Sequence, residues 1–383
     1  MSERMIYMDN AATTWPKPNR VVQAVSEAMT KYGGNPGRGG HRLALAAGEL
    51  LYETRDRVAE FFGCEDAFRV SFTQNITMAI NLVLKGFLRP GDHVLVSPME
   101  HNAVMRPLKA MGIRWDVLSA NENGRVIVPE IQKQILPETK LIVICHESNV
   151  SGVVQPLAEI GRTARDNGIY LLADCAQSAG HLPLDISEDN IDFLCFTGHK
   201  GLYGPTGTGG VVFGSRVDVE RVAPLVRGGT GSLSESFDQP DFLPDRFESG
   251  TQNVCGLAGL NAGIRWIAEQ GIDPIRTKGT RQIRMLREGL LKIPGAYVYS
   301  GEGQTLSLTM DGVDNGSAGA ILDDEYGIMT RIGLHCAPLA HQTLGTFPNG
   351  TIRFAVSPFT SDEDIESCIR ACGAIAEGLW DGK

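Results

Sequence analysis

FLCFTGHKGLYGPTGTGGVVF, residues 193–213, decides the fold. Its first four residues are apolar without alternation, the pattern of a strand buried on both faces. Thr197-Gly-His-Lys200 follows, so a lysine stands just past that strand's carboxyl end. Gly201, Gly204, Gly207, Gly209 and Gly210 then lead into another short apolar run at 210–213.

Upstream the same pattern repeats. Residues 68–72, 93–97, 141–145 and 170–173 read as buried strands. Between them, 77–88 reads as a helix with Ile80, Val83, Leu84 and Phe87 on one side, and 157–167 as another. Strand–helix–strand order with apolar strands predicts an α/β fold: a mostly parallel sheet covered by helices on both faces. After Thr251 the pattern changes. Helices are expected at 257–270, 275–291 and near 317–326, and strands at 296–300, 305–310 and 351–356. Residues 360–377 read as a helix opened by Thr360-Ser-Asp-Glu363, a capping-box pattern. The expected division is a large domain, 15–260, and a smaller α+β domain built from 1–14 and 261–383.

The chain has 383 residues, enough for two domains, with 42% hydrophobic and 21% charged residues, ordinary for a folded protein. A net charge of -10 argues against a nucleic-acid partner, which needs a basic surface. No stretch of eighteen apolar residues occurs, so no membrane span is expected, nor is a signal peptide at 1–10. The eight cysteines form no C-x-x-C pair, so no metal site is expected. Most read as buried hydrophobes in a reducing cytoplasm, with Cys368 and Cys372 on one helix face.

In open parallel sheets ligands sit beyond the strands' carboxyl ends. Several polar groups fall there: Asp174 with Gln177, His146-Glu-Ser-Asn149, Glu100-His101-Asn102, and Lys200 itself. These types suit pyridoxal 5'-phosphate (PLP). A lysine amine forms a Schiff base with its aldehyde, and a carboxylate holds the pyridine nitrogen protonated. An imidazole can stack on the ring. Asn75-Ile-Thr77 opens a helix whose N–H groups can receive the phosphate. Asn149 and Gln177 can bond the ring hydroxyl, and Thr197 and His199 the phosphate. Singly, each residue has a bland reading as a cap or a satisfied loop residue; their coincidence carries the inference.

Tyr7-Met-Asp-Asn-Ala-Ala-Thr13, Ser97-Pro-Met-Glu-His101, Ser148-Asn-Val-Ser-Gly152, Ala173-Asp-Cys-Ala-Gln177, Thr197-Gly-His-Lys200 and Phe247-Glu-Ser-Gly-Thr251 resemble class V aminotransferase-fold enzymes, and within them the cysteine desulfurase and selenocysteine lyase branch. The resemblance runs from residue 6 to about 375. It implies that Lys200 carries PLP, Asp174 pairs with the pyridinium, His101 stacks on the ring and Gln177 meets the ring oxygen. Thr77, Thr197 and His199 would hold the phosphate, with Thr251 supplied by the second subunit of a homodimer. Asn149 would lie near the ring and the substrate carboxylate.

Arg331-Ile-Gly-Leu-His-Cys-Ala-Pro338 is the most informative short segment. A strand expected at 327–331 delivers Cys336 directly after His335 and before a helix starting near Pro338. A cysteine reacts as thiolate, which a histidine, a helix N-terminus and the nearby Arg331 would each favour. From these residues alone, a nucleophile and a buried cysteine beside a capping histidine stand even. The segment resembles the catalytic-cysteine segment of the desulfurases with a short cysteine loop, many of which have a second histidine where this chain has Leu334. Arg353 reads locally as a surface arginine; the resemblance makes it the bidentate holder of the substrate α-carboxylate. Arg38-Gly-Gly-His41 matches a further active-site segment, in which His41 would face the substrate.

The resemblance thus implies conversion of L-cysteine to alanine: Lys200 takes the α-proton, and the Cys336 thiolate takes the sulfur as a persulfide for an acceptor protein or thiol. Selenocysteine lyase activity is an alternative, since a C–Se bond is weaker and needs no thiol nucleophile. An aminotransferase or other lyase with Cys336 incidental is another, and a PLP-binding regulator without turnover a third. Iron–sulfur cluster assembly, RNA thio-modification and selenium supply all stay open as pathways.

Overall fold

The computed structural model describes residues 5–37 and 39–378. The chain opens with strand β1 (Ile6–Tyr7) and helices α1 (Asn19–Lys31) and α2 (Arg42–Phe61). Alternating elements follow: β2 (Val70–Thr73), α3 (Ile76–Phe87), β3 (His93–Val96), α4 (Asn102–Met111), β4 (Arg114–Val117), α5 (Val128–Gln134), β5 (Thr139–Cys145), α6 (Leu157–Asp166), β6 (Tyr170–Asp174), β7 (Phe193–Thr197) and β8 (Gly209–Phe213). Helices α7 (Val254–Gln270) and α8 (Ile272–Leu290) lead into β9 (Ala296–Ser300), β10 (Thr305–Met310), α9 (Asn315–Asp324), β11 (Ile328–Met329) and β12 (Arg331–Gly333). The last elements are α10 (Pro338–Thr343), β13 (Thr351–Ala355) and α11 (Asp362–Ala376).

The large sheet has seven strands in the order β2-β8-β7-β6-β5-β3-β4, with β8 antiparallel to both neighbours and the others parallel. This is the mostly parallel, helix-covered sheet expected from the apolar runs. Period-two alternation shows how both faces are buried. Ile142 and Ile144 of β5 and Leu194 and Phe196 of β7 enter one core; Leu141, Val143, Phe193 and Cys195 enter the opposite one. A four-stranded antiparallel sheet, β12-β13-β10-β9, forms the smaller unit, and β1 pairs with β11 beside it. Its core joins Ile6 and Met8 to Ile283, Leu286, Phe354 and Ile365. Helix α7 crosses position 260, and its Leu260, Ile264 and Ile267 pack with the large sheet.

Several local readings shift. The strand expected at 327–331 is two strands in different sheets, β11 and β12, parted at Thr330. The run at 68–72 begins as a 3-10 turn, Ala67–Arg69, because the Asp66 side chain accepts the N–H of Phe68 and delays the strand. The capping box of α11 is one residue later than expected. Ser361 Oγ accepts the N–H of Asp364, whose carboxylate accepts the N–H of Ser361. Cys368 and Cys372 lie on the buried face of α11, as expected. Helix α4 contains Pro107, which disguises it in the sequence.

Candidate active site

A cavity of about 140 Å³ opens beyond the carboxyl ends of β5, β6 and β7. Lys200 enters it from the turn after β7, Asp174 from the last position of β6, and Gln177 three residues further on. Asn149 and Glu147 come from the turn after β5, and Cys145 from its end. Asn75 and Thr77 open α3, His101 caps α4, and Thr197 and His199 complete the wall. Nine residues expected from dispersed motifs are thus brought together. Cys145 carries no such expectation, and Glu147, which stands in the His146-Glu-Ser-Asn149 run, carries no assigned role, although a glutamate between a buried strand and a Ser-Asn turn is a visible anomaly.

Burial sets the charges. The Lys200 amine is pushed down to about 8 by desolvation, with the Asp174 carboxylate opposing. The Asp174 carboxyl is raised by burial; its Oδ1 accepts the N–H of Ala176 at 2.9 Å. Desolvation and the Lys200 charge lower His101 to about 4. Its Nδ1 accepts the N–H of Ala103 at 3.0 Å, so the neutral ring carries its proton on Nε2. His199 is lowered to about 4 by burial, then by Lys200 and Lys17.

The N-terminal segment straps the lysine turn in place. Lys17 Nζ donates to the His199 carbonyl at 2.7 Å, and Thr14 Oγ1 to the Lys200 carbonyl at 2.9 Å. Gln177 Nε2 donates to the carbonyl of Ala11 at 2.9 Å.

The Cys336 segment is tied to two residues of the cavity wall or next to it. Asn149 Nδ2 donates to the His335 carbonyl at 2.8 Å, and the N–H of Asn102, the neighbour of His101, donates to the Cys336 carbonyl at 2.8 Å. Cys336 is exposed, and both it and His335 have left-handed backbone, with φ of 57° and 49°. His335 does not supply the positive charge expected of it. Its ring is buried, bonded through Nε2 to Thr351 Oγ1 at 3.0 Å, and pushed down to about 2 by desolvation and then by Arg353. Helix α10 has only six residues, and its N-cap is Ala337, so Cys336 stands one residue before the helix end rather than on it.

Arg353, on β13, is buried rather than on the surface. Its Nη2 meets Asp9 Oδ1 at 2.7 Å, its Nη1 donates to the Asn149 carbonyl at 3.1 Å, and its Nε meets no partner among the described residues. Arg331 lies opposite Arg353 across the β12–β13 ladder and is exposed. His41 caps α2, accepting the N–H of Ala44, and does not line the Lys200 cavity. Thr251 is exposed and lines a separate cavity with Gln74, Met78 and Phe247. Arg38 lies outside the described residues.

The chemistry of these residues fits PLP: a neutralisable amine, a desolvated carboxylate suited to a pyridinium, an imidazole for stacking, and the first turn of the twelve-residue α3 for phosphate. Asn149 Oδ1 and His199 Nδ1 are buried without partners among the described residues, polar atoms such a group would satisfy.

Fold and site together define a PLP-dependent enzyme. The chain belongs to the class-V aminotransferase family, whose model matches residues 6–368. It is 36% identical to a probable cysteine desulfurase of Methanothermobacter thermautotrophicus, over 94% of this chain and 92% of that protein. The cysteine desulfurase CsdA of Escherichia coli is 31% identical, over 98% and 95%. The apo structure of a cysteine desulfurase from Thermococcus onnurineus superposes with a TM-score of 0.90 at 32% identity, covering 98% of this chain and 95% of that one.

Proposed function

We propose that this protein is a cysteine desulfurase, converting L-cysteine and the Cys336 thiol to L-alanine and a Cys336 persulfide. The observation that carries it is the position of Cys336: exposed, and tied through its own carbonyl and that of His335 to Asn102 and Asn149 at the Lys200 cavity.

Bound PLP supplies an electron sink for the pair left when the substrate Cα–H bond breaks. Asp174 would keep a negative charge against the cofactor nitrogen, His101 would stack on the ring, and Asn149 and Gln177 would bond its polar edge. Asn75, Thr77, Thr197 and His199 would hold the phosphate, and Thr251, exposed and outside its own Lys200 cavity, would reach it from the second subunit of a homodimer. Arg353 suits the substrate carboxylate through its unpaired Nε, with Arg331 adding positive charge. Lys200 Nζ, with a pKa drawn toward neutrality, moves the proton at Cα. The Cys336 thiolate attacks the substrate sulfur. The Cβ–S bond breaks as the Sγ–S bond forms, and alanine departs. A protein or thiol acceptor then removes the sulfur, in the cytoplasm, where iron–sulfur assembly is one destination.

The test is incubation of the PLP-loaded protein with L-cysteine. Alanine and a gain of one sulfur on the Cys336 peptide, read by mass spectrometry, are expected. Cys336→Ala should abolish both and keep the cofactor's absorbance. Sulfur release surviving that change would overturn the proposal.

A further inference from the structure

Glu147 takes no part in the chemistry above, yet its side chain is 1% exposed and lines the Lys200 cavity. Its Oε2 lies 2.6 Å from Nε2 of the buried His181, past the end of β6. Its Oε1 accepts the N–H of Gln304, just before β10, at 3.0 Å. The carboxylate therefore joins the large sheet's layer to the smaller sheet. Gly303 makes room for it: a Cβ there would stand 2.2 Å from Oε1. A second, smaller cavity is walled by Glu147, Gln177, His181, Lys200 and Gln304.

The turn following Glu147 is bound along its length to the smaller unit. The Val150 carbonyl accepts from Ser307 Oγ at 2.7 Å, that of Ser151 from the N–H of Gly301 at 2.7 Å, and that of Gly152 from the N–H of Gly303 at 2.8 Å. Asn149 accepts from Arg353 and donates to the carbonyl beside Cys336. A charge-assisted hydrogen bond at the root of this turn is stronger than a neutral one and fixes its start.

We infer that Glu147, held by His181, is a positioning residue: it sets the 148–152 turn so that Asn149 keeps the Cys336 segment at the reaction centre. The kinetic consequence rests on the desulfurase reading; the structural one rests on the seam alone. Sulfur transfer between two held groups is sensitive to displacement, and about 1 Å is worth up to a hundredfold in rate. Glu147→Gln keeps the volume and can still accept from Gln304, but weakens the bond to His181.

The experiment compares PLP-loaded wild type and Glu147→Gln. Alanine formation from L-cysteine should fall roughly tenfold. Alanine formation from L-selenocysteine, whose weaker C–Se bond needs no thiol nucleophile, should fall by less than that from cysteine, because it depends on the contacts of Asn149 to cofactor and substrate but not on the approach of Cys336. Amides of residues 148–152 and 335–337 should exchange with deuterium faster. Equal losses on both substrates, no loss on cysteine, or unchanged exchange would overturn the inference. Should Glu147→Gln not fold, His181→Gln is measured instead with the same outcomes. Should wild type make no alanine from cysteine, the desulfurase reading falls and the exchange data alone decide this one.

Discussion

The N–H of Asn102 donates to the carbonyl of Cys336 at 2.8 Å, so the first residue of α4 holds the exposed cysteine beside the candidate ring-stacking His101. Proline tests that bond with little collateral damage. At the first helical position its missing N–H is not needed by the helix. His101 already has the extended backbone, φ -77° and ψ 156°, that a following proline requires. Asn102→Pro should therefore cost the fold only about 1 kcal/mol, the worth of one hydrogen bond. It should slow formation of the Cys336 persulfide severalfold while PLP binding persists. Unaltered persulfide kinetics would show that the bond does not position the cysteine.

His335 bears on how the thiol ionises. Its ring stays neutral across the working pH range, with a pKa near 2, so it adds no cation beside Cys336. His335→Asn keeps a side chain tolerant of the left-handed backbone recorded there. Alkylation of Cys336 by iodoacetamide at neutral pH should keep its rate in that variant. A slower alkylation would mean that the imidazole does promote the thiolate.

Most of the cavity was legible in the sequence because it is built from strand ends, and apolar strands announce where they stop. Lys200 and Asn149 each follow such a run by four residues, and Asp174 ends one directly. What stayed hidden depends on distant contacts. Nothing local in Thr-Ile-Arg-Phe-Ala shows that Arg353 is buried against Asp9, 344 positions away. Likewise, His335 looked like a neighbouring charge because sequence shows adjacency and not desolvation. Residues 327–331 read as one strand because periodicity cannot reveal that a single residue, Thr330, hands the chain from one sheet to another.

Lys200 gives a pH prediction with a definite sign. Imine formation needs the neutral amine, and burial lowers its pKa from 10.5 to about 8. At pH 7.5 roughly a quarter of the apo-protein then carries a free amine, against about a thousandth for an ordinary lysine. PLP uptake by apo-protein, followed by absorbance, should rise through a midpoint near pH 8 and level off above it. The Asp174 charge raises this pKa, so Asp174→Asn should shift the midpoint downward while weakening retention of the cofactor. An uptake curve still climbing at pH 10 would mean that Lys200 is not desolvated.

The Arg55–Glu248 pair explains how the large sheet ends. Strand β2 lies at the sheet's edge, and its residues 70 and 72 turn their backbone groups outward while Ser71 faces β8. Glu248 Oε1 accepts the N–H of Phe72 at 2.7 Å, and Arg55 donates to the Val70 carbonyl. The two side chains also bond each other through both oxygens at 2.7 Å, 3% and 5% exposed. A buried ion pair here stands in for a neighbouring strand and satisfies the edge that would otherwise be bare. Glu248→Ala should destabilise the protein by about 3–5 kcal/mol, because it strands the arginine charge as well as the Phe72 N–H. The apolar double variant Arg55→Met/Glu248→Leu removes the stranded charge and should recover part of that loss. Recovery should not be complete, since two backbone groups of β2 still lack partners, each worth about 1–3 kcal/mol when buried unpaired. Denaturant unfolding of the three proteins gives the order wild type, double variant, single variant. A double variant as stable as wild type would show that the pair is an ordinary buried ion pair and that water satisfies the edge.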